Sequence, residues 1–437
     1  MNQELRRIKL GDGVHFSSIQ DPKFKHNCIS VNLITPLEED TVTAGAILPY
    51  LLRRGSKSCP DFTQLERTLC ELYGASLSAD TGKSGEYQVL TCTIVGIDDR
   101  FALEGESVSA GCARLLGEII LDPNITDGAF PEEDFQLERR NLIDAIQAEI
   151  NDKRAYTLSQ CKALMCEGSR LAIPRYGWVE KAEQLTARAA AQRYQQLIDT
   201  AQVEIIFVGS GSPDGAREEF SRLFGTLERH PASFTPDPIV ETAGEIKEKT
   251  VPMEVAQSKL AMGFHTGSLP NKEKIYAMKL MSFLYGGTPF SRLFIHVREE
   301  KSLCYYCAAR FDQMTGILMV DIGVERENEP AARAAILEQL QAVAKGDFTD
   351  EELESARLSY ANSLRSVPDT LSGMEGWYLG QIMRGTRLSP EEEEAGIARV
   401  SREEVIAAAR QVTLDTVYFL ASRPGDSGEK EESQDES

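Results

Sequence analysis

Apolar and polar residues follow strand-like and helix-like spacings along the chain, and the pattern can be read in order. In the first half it predicts a strand over 27–35, helices over 44–54 and 62–73, a hairpin over 75–97 and a long helix from Pro131. The hairpin turn is placed at residues 82–85, which carry two glycines. The long helix has acidic residues in its first turn, where they complement the helix dipole.

The second half repeats this order of elements. It is predicted to contain a strand over 259–266, helices over 275–284 and 292–301, a hairpin over 305–325 that turns at Gly316, and a helix over 331–343. A long helix over 348–364 then matches residues 130–146, with Arg357 and Arg139 at the same offset. The sequence therefore predicts a duplicated unit of strands and helices.

Composition shifts mark the predicted boundaries. They divide the chain into an N-terminal lobe over 1–229, a linker over 230–250, a C-terminal lobe over 251–424 and a tail over 425–437. The linker is rich in proline and small polar residues. The tail lacks the apolar residues needed to bury a core, so it is predicted to be disordered.

The charge balance excludes some partners. The 437 residues are 42% apolar and include 47 Lys and Arg against 68 Asp and Glu, a formal charge of -21. Such a charge repels phosphate backbones and anionic lipids, so neither nucleic acid nor a membrane surface is expected as a partner. The N-terminal residues lack a signal-peptide core, and no apolar run is long enough to span a bilayer. We therefore expect a cytoplasmic protein.

Residues 290–310 contain the best candidates for binding a substrate. A helix with one apolar face should end near Ser302 and lead into a strand rich in aromatic residues, Cys and Ala. This arrangement lets Arg298, near the helix end, and Tyr305, at the strand start, approach one ligand. The simpler interpretation places Arg298 on a solvated face and Tyr305 in the core.

The nine cysteines are scattered along the chain, and most are expected to be reduced core residues. The one C-x-x-C motif joins Cys304 to Cys307 within the predicted strand. Residues three apart in a regular strand point to opposite faces. A redox pair or a zinc knuckle is therefore not expected at this position.

The motif S-R-L-F followed by V-R-E-x-x-x-L-x-Y, within two similar halves, resembles the pitrilysin/insulinase-like zinc peptidases, including mitochondrial processing peptidase and its bacterial relatives. The resemblance covers nearly the whole chain except the tail. It implies an α+β fold of two homologous lobes, each a mixed, largely antiparallel sheet packed against helices. It also implies that Arg298 and Tyr305 are the substrate-binding arginine and tyrosine of the second half.

The same resemblance implies that the residues of the family's metal site are missing. An active member has H-x-x-E-H on a first-half helix and a third ligand, a glutamate, on the later long helix. The matching positions are Ala46 for the first histidine, Pro49 for the glutamate, Tyr50 for the second histidine and Ala145 for the third ligand. Pro49 should kink the helix or lie near its start, since a proline inside a helix costs about 3 kcal/mol. We expect Tyr50 to fill the vacated space.

Histidines elsewhere offer no replacement motif. The chain has five, and no two lie within ten residues of each other: His15, His26, His230, His265 and His296. We therefore expect no metal and no other cofactor. An active enzyme with relocated ligands is the least favoured hypothesis, because catalytic zinc requires three protein ligands.

Two functions fit these features. In the first, the chain is a non-catalytic subunit that pairs with a metal-bearing paralogue, or with itself, and supplies Arg298 and Tyr305 to a peptide substrate. In the second, it is a peptide-binding or scaffold protein with no part in proteolysis, holding a segment at a sheet edge. The whole sequence also resembles the shorter, motif-less member of a Gram-positive bacterial pair associated by gene context with modification of elongation factor P.

Overall fold

The computed structural model of the chain describes residues 4–423, and the predicted tail lies outside them. These residues form two compact units. The first unit combines the chain up to Ala148 with Ile173–Pro236 and Ser366–Ser389, and the second combines Glu149–Ala172 and Asp237–Arg365 with the chain from Pro390. The main change from one unit to the other, at Pro236, falls inside the predicted linker. The prediction placed Glu149–Ala172 in the N-terminal lobe and Ser366–Ser389 in the C-terminal lobe, whereas the structure assigns each segment to the other unit.

The described residues contain eleven strands: β1 Arg6–Gly11, β2 Val14–Gln20, β3 His26–Pro36, β4 Ser76–Ser84, β5 Tyr87–Ile97, β6 Gln202–Gly209, β7 Lys247–Met253, β8 Ser258–His265, β9 Cys304–Asp312, β10 Ile317–Val324 and β11 Thr413–Ser422. Within the same residues there are fifteen α-helices: α1 Val42–Ala46, α2 Leu48–Leu52, α3 Phe62–Glu71, α4 Val108–Leu121, α5 Glu132–Ala148, α6 Lys153–Met165, α7 Val179–Gln184, α8 Ala187–Thr200, α9 Asp214–Phe224, α10 Lys272–Ser282, α11 Glu329–Lys345, α12 Asp350–Ser366, α13 Leu371–Met383, α14 Pro390–Ile397 and α15 Arg402–Ala409.

The two sheets share one topology. The first has the strand order β1-β2-β6-β3-β5-β4, and the second has the order β7-β11-β8-β10-β9. In each sheet one pair is parallel, β2 with β6 and β7 with β11, while the other pairs are antiparallel. Apart from β1, each strand of the first sheet has a counterpart in the second. This confirms the α+β fold and the predicted duplication.

The strand β6 shows how the first sheet is buried on both faces. Its residues Ile205 and Phe207 belong to a large core that also contains Phe220 of α9. The alternating residues Ile206 and Val208 join a second cluster on the opposite face. The continuous apolar run of this strand follows from burial on both sides, since successive side chains point to opposite faces.

Two helices belong to the unit opposite to the one that their position in sequence would predict. Helix α6 follows the long helix α5 but packs on β8, β10 and β11 of the second unit. Helix α13 follows the long helix α12 but packs on β3 and β6 of the first unit. Because α5 and α12 are counterparts in the repeat, the exchange is reciprocal. Each unit therefore includes one helix from the other half of the sequence.

Local predictions were mostly confirmed. Both long helices open with three acidic residues, as predicted. The helix predicted over 44–54 is interrupted, with α1 ending at Ala46 and α2 beginning at Leu48, so Pro49 lies in the first turn of α2, where a missing N–H does least harm. The turn predicted over 82–85 is shorter, because β4 continues to Ser84 and only Gly85 and Glu86 connect it to β5.

Candidate functional site

The helix that carries Arg298 is wound more widely than an α-helix. Residues Leu293–Glu299 form a π-helix, and its geometry appears in the bond from the Glu300 N–H to the Ile295 carbonyl, 2.9 Å. The Arg298 guanidinium lies over the Phe294 ring, 4.3 Å from its centroid. Single π-helical turns occur often at functional sites. The helix ends as predicted, and Ser302 has φ 50°.

Arg298 and Tyr305 lie together. The Arg298 Nε donates a hydrogen bond to the Tyr305 carbonyl oxygen at 2.8 Å, which ties the π-helix to the start of β9. The Arg298 Nη1 is 3.8 Å from Glu299 Oε1, and the side chain is 38% exposed. The arginine therefore combines a structural bond through Nε with a guanidinium that solvent reaches.

A β-bulge turns Tyr305 outward. In the pairing of β9 with β10, Tyr306 faces Gly323 and Cys304 faces Val324, so Tyr305 is the extra residue. Its side chain is 63% exposed, and the interpretation that placed Tyr305 in the core is wrong. The exposed phenol is therefore accessible to a ligand from solvent.

The Tyr305 hydroxyl has one partner among the described side chains. It donates a hydrogen bond to Glu325 Oε1 at 3.1 Å, just beyond the end of β10. This bond to the carboxylate, and its negative charge, raise the pKa of Tyr305 above its usual value. The phenol is therefore protonated at neutral pH and available as a hydrogen-bond donor. Sequence reasoning missed Glu325, because nothing in its local pattern distinguishes it from other exposed acids.

The bulge also changes the C-x-x-C motif. Cys304 and Cys307 are both buried, with exposed fractions of 9% and 5%, while Tyr305 between them is exposed. Because their partners Val324 and Ile322 lie on one face of β10, the two thiols lie on one face of β9. The expectation that they point to opposite faces is wrong, because the extra residue shifts the alternation by one position.

The residues at the positions matched to the vacated metal site make contacts within the core of the first unit. Ala46 is fully buried, and its carbonyl oxygen accepts a hydrogen bond of 3.0 Å from Thr81 Oγ1. Pro49 lines an apolar cavity with Leu48, Leu52 and other core residues. A hydrocarbon-lined space of this kind supplies none of the imidazole or carboxylate ligands that zinc requires.

Tyr50 and Ala145 occupy the two other positions matched to the metal site. Burial raises the pKa of Tyr50, and a hydrogen bond with Tyr176 acts in the same direction. Ala145 is partly buried and packs against the first unit's core. Nearby, Arg54 Nε lies 3.3 Å from Asp134 and 3.2 Å from Glu138, which links the end of α2 to α5.

No alternative metal site is evident in the part of the chain that the structure describes. Within residues 4–423, no three or more His, Cys, Asp or Glu side chains are grouped so that they could hold a metal ion. His265 pairs with Asp415 at 3.2 Å and His296 with Glu300 at 2.8 Å, so these two histidines make local ion pairs or hydrogen bonds.

The known proteins that this chain resembles include members described as inactive, in agreement with the missing metal ligands. A family model described as the peptidase M16 inactive domain matches residues 184–360. The chain is 31% identical over 407 residues to the probable inactive metalloprotease YmfF of Bacillus subtilis, which covers 93% of this chain and 95% of YmfF.

Solved structures share the fold. A conserved protein from Enterococcus faecalis aligns with TM-score 0.86 and 28% identity, covering 96% of this chain and 99% of that one. A structure described as the peptidase M16 inactive domain from Pseudomonas fluorescens aligns with TM-score 0.78 and 14% identity, over 96% of this chain and 98% of that one. In residues 4–423, every helix is too short or too polar to cross a bilayer. The chain belongs to the M16 peptidase family, the pitrilysin/insulinase-like family, and is an inactive member that lacks the H-x-x-E-H motif.

Proposed function

We propose that this chain is the non-catalytic subunit of an M16 peptidase, and that it pairs with a metal-bearing paralogue. In this proposal Arg298 and Tyr305 bind the peptide substrate. The observation that carries it is the bond from Arg298 Nε to the Tyr305 carbonyl, which holds the guanidinium beside an outward-turned phenol. The metal would come from the partner, because the positions of the usual ligands hold Ala, Pro and Tyr.

Each side chain has a distinct role. The Arg298 guanidinium binds a carbonyl or carboxylate of the peptide through charge-assisted hydrogen bonds. The Tyr305 hydroxyl donates to the oxyanion that develops at the scissile carbonyl in the partner's site. To do so it leaves Glu325, its acceptor in this structure. Before the peptide arrives, Glu325 keeps the donor protonated and oriented.

Reconstitution with a metal-bearing paralogue tests the pairing. The chain alone should show no zinc-dependent cleavage, and addition of the paralogue should produce it. Arg298→Ala should lower the cleavage rate of the pair, whereas Arg310→Ala, which changes an exposed arginine of β9, should leave it unchanged. Equal rates for Arg298→Ala and the unchanged chain would show that the proposed role is wrong.

The second candidate function is a peptide-binding or scaffold protein with no part in proteolysis. It is supported by β9, the edge strand of the second sheet, which has one strand partner among the described residues and could receive a peptide as an added strand. The two candidates differ in the copurifying partner. A partner with stoichiometric zinc and peptidase activity supports the subunit proposal, and a partner with neither supports the scaffold. Stoichiometric zinc in the single chain would instead revive the hypothesis of relocated ligands.

A further inference from the structure

The β-bulge at Tyr305 creates a pair of thiols that an unbulged strand would separate. Cys304 pairs with Val324 and Cys307 with Ile322, with one extra residue on the β9 side between them. Both side chains consequently turn toward the same buried face. None of the proposed peptide contacts uses either thiol.

The two thiols differ in their surroundings. The hydrogen bond from Cys307 lowers the pKa of Cys304, and the positive charge of Arg298 acts in the same direction. Burial raises the pKa of Cys307. Thiolate character governs cysteine reactivity, and nearby arginine promotes it. Cys304 is therefore suited to react first, and Cys307 lies ready as its resolving thiol.

We propose that Cys304 and Cys307 form a reversible dithiol modification site, oxidised to a disulfide by hydroperoxides. Their placement on one face by the bulge, their burial and the adjacent Arg298 guanidinium carry this proposal. The seven other cysteines are dispersed, and Cys70 is an exposed single thiol that serves as an internal comparison.

The chemistry balances in two steps. The Cys304 thiolate attacks one oxygen of the hydroperoxide, so an S–O bond forms, the O–O bond breaks and the alcohol leaves after taking a proton. The Cys307 sulfur then attacks the Cys304 sulfenic acid, so the S–S bond forms, the S–O bond breaks and hydroxide leaves as water with the Cys307 proton. Two thiols lose two electrons and the hydroperoxide gains them. A dithiol reductant reverses the reaction by exchange.

Oxidation has a consequence for the candidate site, and this part rests on the proposed function. A disulfide holds its two sulfur atoms about 2.05 Å apart, much closer than two unbonded thiols approach. The start of β9 must therefore shift, and Tyr305 with it. The bond between Arg298 Nε and the Tyr305 carbonyl should be lost, so the oxidised protein should bind peptide more weakly and recover on reduction.

The test treats the full-length protein with hydrogen peroxide, then maps thiols by mass spectrometry after digestion without reductant. The peptide containing both cysteines should lose two hydrogens and regain them with dithiothreitol. Cys304→Ser and Cys307→Ser should each abolish this change, and in Cys307→Ser the Cys304 sulfenic acid should be captured by dimedone. Cys70→Ser should leave the disulfide yield unchanged.

Two results would overturn the dithiol site. One is a wild-type peptide that stays fully reduced at a peroxide concentration that already oxidises Cys70. The other is dimedone capture at Cys307 instead of Cys304 in the matched serine variants. If the disulfide forms but peptide binding by the oxidised protein is unchanged, the dithiol site stands and the proposed roles of Arg298 and Tyr305 fail.

Discussion

Because α13 packs on the first sheet, truncating a buried side chain of α13 should destabilise strands that are distant in sequence. Met374 of α13 is fully buried in a cluster with Ile206 and Val208 of β6. Replacing a fully buried methionine with alanine removes its packing and leaves a cavity, which typically costs about 2–5 kcal/mol. That is a large fraction of the roughly 5–15 kcal/mol that holds a typical protein folded. Met374→Ala should therefore strongly weaken the first unit.

Hydrogen exchange followed by mass spectrometry measures where the loss occurs. In Met374→Ala, amides of β3 and β6 should exchange faster, whereas those of β8 and β10 should keep their protection. Leu358→Ala, at an exposed leucine of α12, is the matched control and should change neither group. Faster exchange in β8 and β10, with β3 and β6 unaffected, would refute the assignment of α13 to the first unit.

Two further predictions concern buried charges of the first unit. Burial raises the pKa of Glu375, although hydrogen bonds from Ser30 and Asn32 oppose the shift. The folded state therefore disfavours the charged form of Glu375. Its stability should fall as the pH rises above 4.5, the usual pKa of a glutamate. Glu375→Gln should therefore raise the melting temperature relative to wild type at pH 8 and have a smaller effect at pH 4; a gain only at pH 4 would contradict this. Arg7 binds the buried carboxylate of Glu204 at 2.8 Å, so Arg7→Met should lower stability by about 3 kcal/mol in urea unfolding, and an unchanged midpoint would show that the pair contributes little.

Much of the fold was predictable because the spacing of hydrophobic residues repeats between the two halves of the sequence. The strands and the long helices opened by acidic residues recur at matching positions, and antiparallel pairing then follows from the hairpins. The break before Pro49 was also predictable, since proline excludes a continuous helix. The exchange of α6 and α13 was not, because an apolar helix face does not specify which sheet will cover it.

The proximity of the two predicted site residues could be anticipated from the sequence, but the geometry around them could not. The motif identified Arg298 and Tyr305, and the structure brings them together. The rule of alternating strand faces failed at Tyr305, because a bulge inserts one residue and the pattern carries no mark of it. For the same reason the placement of Cys304 and Cys307 on one face was missed.

We propose that this chain supplies Tyr305 to a site whose metal lies in another chain. The most direct measurement is the single-turnover rate of peptide cleavage by the reconstituted pair, with wild-type and Tyr305→Phe forms of this chain compared at equal peptide affinity. Phenylalanine keeps the ring and removes only the hydroxyl donor, so the rate should fall roughly a hundredfold or more. Equal rates, with Tyr305→Phe correctly folded and paired, would contradict the account.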